Sequence, residues 1–256
     1  MAVRKPPLLY LDALAYGRRV FGSDEARWFE TPALLGTYRQ VLQGLRPDWL
    51  LFPALEWAAA WWQANGPDDS TGRPLRTLKA RLAHAGLRAA LLDALRALHS
   101  VTGSGTGLGL VIDGPEQWLA WAGSDEAEVD EGDAEDVVVY LAAALHMMAS
   151  SGIGAVILRQ NTLTQADPDE RYAALTNAAG HHAWPTLLCV DRLTERPQRF
   201  DLVAARRTLP ACGVWIGDEG WSGGEAVDAP FIVTQVPEHF RPDAVLARLA
   251  HWRGTP

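Results

Sequence analysis

The sequence predicts an α/β protein: a TIM-type (β/α) barrel, shortened to about seven recognisable parallel strands. Three observations predict it. Short apolar runs alternate with longer helical patterns along the 256 residues, the order that a parallel sheet with crossover helices requires. Each run is apolar at successive positions rather than alternate ones, as in a strand buried on both faces. The residues that follow the runs are polar and mostly acidic, as expected where strands of such folds open onto a functional mouth.

The strand candidates are 8–11, 49–52, 108–112, 155–158, 186–190, 213–216 and 231–234. Helical patterns occupy 34–45, 75–98, 136–148, 170–179, 202–209 and 242–252. The first of these opens at Thr31-Pro32, a cap residue followed by the proline that suits a first helical turn. The second is long and rich in Ala, Leu and Arg. The third follows a run of carboxylates that favours a helix N-terminus. No linker or change of composition divides the chain, so residues 1–256 read as one domain. A closed eight-stranded barrel takes about 250 residues, yet the count stops at seven. The missing strand would leave two open sheet edges, which the chain's own termini, a homodimer partner or another subunit is expected to cover.

Composition limits the function. Apolar residues make up 48% and charged residues 21%, a globular balance, and eleven tryptophans need a sizeable core or pocket to hold their rings. The net charge of −8 is local: eight carboxylates and no base lie between Asp125 and Asp136, and without them the charge is zero. That run reads as a solvated loop, and the balanced remainder offers no footprint for nucleic acid. No stretch of about 18 uncharged apolar residues exists to span a membrane. The expected protein is soluble and cytoplasmic, with a small-molecule ligand.

The strand ends supply the candidate site. Strand one ends in Asp12. Strand two leads into Ala54-Leu55-Glu56-Trp57, and strand three into Asp113-Gly114-Pro115-Glu116-Gln117-Trp118. Strand four ends in Arg159-Gln160, strand five in Cys189-Val190-Asp191-Arg192, the next in Asp218-Glu219, and the last in Gln235 with His239 beyond. Ionised carboxylates crowded in a cup need pairing, and Arg159 is the expected neutralising partner. Asp12, Asp113, Asp191, Asp218 and Arg159 are the candidate catalytic groups, since paired carboxylates can be driven to different pKa values and do acid/base work. Tyr10, Glu56, Trp57, Trp118, Gln160, Glu219, Gln235 and His239 are the candidate substrate contacts.

Other features carry less. Gly103, Gly105, Gly107 and Gly109 precede a strand, where a phosphate loop would follow one, so they read as an entry loop. His181 and His182 read as surface residues at a helix C-terminus. Cys189 and Cys212 sit in no CxxC, and Cys212 reads as a small buried residue. No cofactor is expected; the alternative is zinc at Cys189 and Asp191.

The order of these landmarks resembles the uroporphyrinogen decarboxylase superfamily, which also holds cobalamin-independent methionine synthase and corrinoid-protein methyltransferases. Pro7-Leu8-Leu9-Tyr10-Leu11 resembles the family's opening strand, and Arg46-Pro47-Asp48-Trp49-Leu50-Leu51-Phe52 its "gvDaailFsD" strand. Gly109-Leu110-Val111-Ile112-Asp113-Gly114-Pro115 is similar to its "GFaGaP" turn. Ser150-Ser151-Gly152 with 153–158 resembles "eaGadavqiFDS", and Trp184-Pro185-Thr186 resembles "vPvi". Ala211-Cys212-Gly213-Val214-Trp215-Ile216-Gly217-Asp218 resembles "gaDvvglDw", and the segment from Gln235 to Pro242 resembles "qGNldP". Against that family, Asp12 and Tyr16 stand where the decarboxylase has arginines that grip substrate carboxylates. Its essential Asp after strand two falls on Ala54, and a second Asp falls on Gln160. The zinc methyltransferases' His-x-Cys aligns with Cys189-x-Asp191, and Asp218 is the retained acid. These departures argue against uroporphyrinogen as substrate. The resemblance implies a lyase of the decarboxylase type on another small molecule. The alternatives are a methyl or one-carbon transferase, and a non-catalytic binding or partner protein.

Overall fold

The computed structural model describes residues 6–22, 27–67, 72–124, 129–160, 167–193, 195–206, 212–223 and 227–254. Eight parallel strands close into a barrel in sequence order. They are β1 (Leu8–Asp12), β2 (Trp49–Pro53), β3 (Gly107–Asp113), β4 (Ala155–Gln160), β5 (Thr186–Val190), β6 (Leu202–Ala205), β7 (Gly213–Ile216) and β8 (Phe231–Gln235). The ring shuts where β8 pairs with β1 along its whole length, from Leu8↔Phe231 to Asp12↔Gln235.

Helices follow most strands: α1 (Leu14–Phe21), α2 (Thr31–Leu45), α3 (Ala54–Asn65), α4 (Pro74–Ala83), α5 (Ala85–Thr102), α6 (Pro115–Trp121), α7 (Glu131–His146), α8 (Pro168–Arg171), α9 (Ala173–His181), α10 (Asp218–Ser222) and α11 (Pro242–Trp252). Pro32, Pro74, Pro115, Pro168 and Pro242 each occupy the first turn of their helix, where a missing N–H costs nothing and the fixed φ is already helical.

The count of seven strands is corrected to eight. The strand missed is β6, because Leu202-Val203-Ala204-Ala205 read with the arginines after it looks like a helix start; Ala, Leu and Arg are all strong helix formers. Four residues are too few to show a periodicity, and pairing on both sides decides the outcome: β6 lies between β5 and β7. The 207–209 part of the predicted helix falls outside the described residues. The open-edge expectation falls with the count, since a closed barrel has no edge for a terminus, second copy or partner subunit to cover.

Among the described residues between β5 and β6 there is no helix. Side chains hold this connection instead. The Asp201 carboxylate accepts from the Thr186 backbone N–H at 2.8 Å and from its hydroxyl at 3.1 Å. Asp169 accepts from the N–H groups of Gln198 and Arg199 at 2.6 and 2.9 Å.

The predicted helix 75–98 is also corrected. It is two helices broken at His84, whose extended backbone (φ −65°, ψ 120°) ends α4 while its Nδ1 accepts from the Leu87 N–H and caps α5. Gly107, read as loop, lies in β3, as does Gly109 of the predicted strand 108–112. At Gly107 the reason for glycine is close approach: a Cβ would stand 2.5 Å from the Trp49 ring.

Two cores result, one on each face of the strands. Inside the barrel, Tyr10, Leu51, Val111, Ile157, Leu187, Ala204, Trp215, Phe231 and Val233 pack together. Tyr10 stacks on Trp49 (5.5 Å, 3°) and meets Phe231 edge-on, plugging the amino end. Outside, the alternate strand residues meet the helices, among them Leu9, Leu50, Phe52, Leu110, Val156, Leu188 and Val203. This double burial is the physical source of the non-alternating runs in the sequence. Among the described residues, no helix is long and apolar enough to cross a membrane.

Candidate active site

Side chains two residues apart on a strand share a face, so the inward residues climb the barrel in layers. Tyr10 and then Asp12 climb on β1, Val111 and Asp113 on β3, and Ile157 and Arg159 on β4. The top layer is polar. Parallel register sets Asp113 directly beside Arg159, and Arg159 Nε donates to Asp113 Oδ1 at 2.7 Å. The same guanidinium reaches across to Asp12, Nη1 to Oδ2 at 3.5 Å. The Asp12 carboxylate also accepts from the Leu14 N–H at 3.3 Å, which fixes the turn into α1.

A cavity of about 430 Å³ opens above this layer. Its floor is Leu51, Val111, Ile157, Cys189 and Val233; Asp12 and Arg159 form one wall. Arg206, Trp215, Gly217, Asp218, Glu219 and Gln235 form the other. The electrostatics are uneven. Asp12 is 2% exposed, and burial raises its pKa, with the Asp113 charge adding to the rise and Arg159 opposing it. Burial works against the charge on Arg159, but Asp113 and Asp12 outweigh it and hold the guanidinium firmly cationic. Behind the wall, Glu56 pairs with Arg18 at 3.2 Å. Burial and the Asp12 charge carry the Glu56 pKa to about 7. Burial also pushes the Cys189 thiol up, against the pull of Arg159, so it stays a thiol.

The structure brings together Asp12, Asp113 and Arg159, and places Cys189, Asp218, Glu219 and Gln235 around the same cavity. Asp191 stands just outside it, paired with Arg206 at 2.8 Å. Besides Glu56, which lies behind the wall, five predicted contacts lie elsewhere. Tyr10 is in the amino-end stack. Trp57, 1% exposed, packs outside the strands and donates to the Phe29 carbonyl at 3.0 Å. Trp118 packs on Trp121 between barrel and helices. Gln160 faces outward, within reach of Glu116 at 3.5 Å and accepting from the Tyr172 hydroxyl, beside the buried Glu116–Arg171 ion pair. His239 is exposed against Phe240.

Arg206 is the cavity residue that sequence reasoning missed, because its strand was hidden. A catalytic zinc takes three protein ligands. Here Asp191 is held by Arg206 at 2.8 Å. Among the described residues no three His, Cys, Asp or Glu side chains are grouped to hold an ion. The residues described do not fit zinc at Cys189 and Asp191.

No family model matches the sequence, and no curated protein matches it. The fold does find a likeness. A methyltransferase from Methanosarcina mazei superposes with a TM-score of 0.61 over 98% of this chain and 94% of that one, at 12% identity. The chain is a TIM-type barrel built like that methyltransferase. At this identity the likeness speaks for the architecture, and the chemistry rests on the residues in the cup.

Proposed function

We propose that the chain is a small-molecule methyl or one-carbon transferase in which Asp12 is the general acid. One observation carries the reading: a carboxyl group 2% exposed, lining a cavity of about 430 Å³, whose guanidinium neighbour Arg159 is committed more closely to Asp113. Burial raises the proton affinity of Asp12, and Arg159, shared with Asp113, offsets only part of that rise. A carboxyl group of raised proton affinity that lines a pocket of that size is placed for proton transfer.

In the transfer, an external nucleophile such as a thiolate or a corrinoid takes the methyl group. The electron pair of the broken bond remains on the leaving heteroatom, and the Asp12 proton goes to that atom. Arg159 then stabilises the carboxylate left behind, with no rearrangement needed. Cys189, a thiol rather than a thiolate, serves as floor and not as nucleophile. The methyltransferase-like architecture across nearly the whole chain supports transfer over the decarboxylase-type reading, which would use the same proton on a carbanion.

A panel of O-, N- and S-methyl donors, assayed spectroscopically with a reduced corrinoid or a thiol acceptor, tests the reading. Transfer that falls at least about 100-fold in Asp12→Asn is the expected result. No transfer from any donor, together with Asp12-dependent CO2 release from small carboxylic acids, overturns it in favour of the lyase.

A further inference from the structure

Arg206 follows directly on β6 and faces the same cavity as Asp12, and three neighbours fix its guanidinium. Its Nε lies 2.8 Å from Asp191 Oδ1. Its Cζ sits 4.9 Å from the centre of the Trp215 ring, in a cation–π contact. Its flat face rests on Gly217, where a Cβ would stand 3.1 Å from Cζ and 3.2 and 3.3 Å from the two terminal nitrogens. A Cβ there would press the guanidinium away from the chain by a few tenths of an ångström. Among the described residues, neither Nη1 nor Nη2 has a hydrogen-bond partner. A pair anchored at Nε alone, with side chains 48% and 38% exposed, adds little to stability. Among the described residues the two-nitrogen edge of Arg206 faces no partner, and that edge is the one that takes a carboxylate by two parallel hydrogen bonds.

We infer that the substrate carries a single carboxylate and that Arg206 grips it, with the reacting end of the molecule directed to Asp12. This rests on the transfer reading of the same cavity and names its substrate class. Two features narrow the anion. Asp218 and Glu219 stand exposed on the cavity rim and repel a polyanion, and Arg206, whose Nε already faces Asp191, offers its terminal nitrogens to one carboxylate. The volume of about 430 Å³ admits a small molecule and not a peptide chain.

Calorimetric titration with matched probes tests the inference apart from turnover. Glycine betaine is compared with choline, and propionate with propionamide, so that each pair differs in its carboxylate. In the wild type the carboxylate of each pair binds at least about 10-fold more tightly. Arg206→Gln abolishes that preference, leaves propionamide unchanged and does not weaken choline, the cation without a carboxylate. Arg206→Lys keeps the charge without the fork and retains part of the preference. Gly217→Ala, which adds no charge and removes none, weakens carboxylate binding several-fold by displacing the guanidinium. Thermal midpoints stay within a few degrees of wild type in all three, because the pair is at the surface.

Equal affinity within each pair, an Arg206→Gln variant that binds carboxylates like wild type, or failure of propionate to bind even at tens of millimolar overturns the inference. The two readings fail separately. Asp12-dependent transfer from uncharged donors that ignores Arg206→Gln removes the carboxylate and leaves the transferase. Arg206-dependent carboxylate binding with no transfer from any donor removes the transferase and leaves the carboxylate site.

Discussion

Arg159 makes two contacts of unequal closeness, 2.7 Å to Asp113 and 3.5 Å to Asp12, and that inequality separates two neighbouring acids into different roles. Asp113 is the closer counter-ion; Asp12, buried and more loosely paired, is the acid whose proton affinity burial raises. Asp12→Asn preserves the acceptor for the Leu14 N–H, so turnover is expected to fall 10²–10⁴-fold while the thermal midpoint holds. Arg159→Gln leaves two carboxylates 3% and 6% exposed without a cation, and denaturant titration is expected to show a loss of about 3–5 kcal/mol. A loss below about 1 kcal/mol would mean that water already screens the trio. Asp12, Asp113 and Arg159 were readable because each ends an apolar run. Trp57 and Trp118 sit on helices α3 and α6, buried against the barrel's outer face; Gln160 was misplaced for a reason of the strand itself. A strand apolar on both faces does not reveal which of two adjacent residues points inward, so Gln160 stood beside Arg159 in sequence and on the opposite side of the sheet in space.

Strands and helices were legible where they were long enough to carry a pattern. Seven of the eight strands appear as continuous apolar runs because a sheet covered on both faces demands them. β6 has four residues, and its own composition favours a helix; it is a strand because β5 and β7 hold it from either side. The break at His84 was hidden in the same way, since Ala-, Leu- and Arg-rich sequence continues across it. An element imposed by its neighbours depends on its anchors. Asp201→Ala removes the carboxylate that binds the Thr186 N–H and hydroxyl. It is expected to cost about 1–2 kcal/mol and to speed amide exchange in 202–205 more than in β1 or β3. Uniform exchange across all strands would show that β6 needs no such anchor.

The whole barrel keeps acids buried at its mouth, and its stability should therefore fall as pH rises toward neutrality. Burial and the Asp12 charge bring the Glu56 pKa from the ordinary 4.5 to about 7. Between those values the folded chain binds more protons than the unfolded one, so stability declines with increasing pH. The contribution is complete below pH 4.5 and is lost as pH climbs through about 7. Asp12 shifts in the same sense. His182 shifts down, through burial and the charges of His181 and His146, which opposes the trend over part of the range. Comparing wild type with Glu56→Gln cancels the histidine term. The variant imitates the protonated acid, so it should match wild type near pH 4.5 and become more stable than it by neutrality. The gain should be about 1 kcal/mol, because the Glu56 side chain is 34% exposed and solvent screens part of the effect. Urea midpoints at intervals from pH 4.5 to 8 read it directly. A constant difference between the two proteins would show that Glu56 titrates as an ordinary carboxylate, and that the field of Asp12 does not reach past the wall of its cavity.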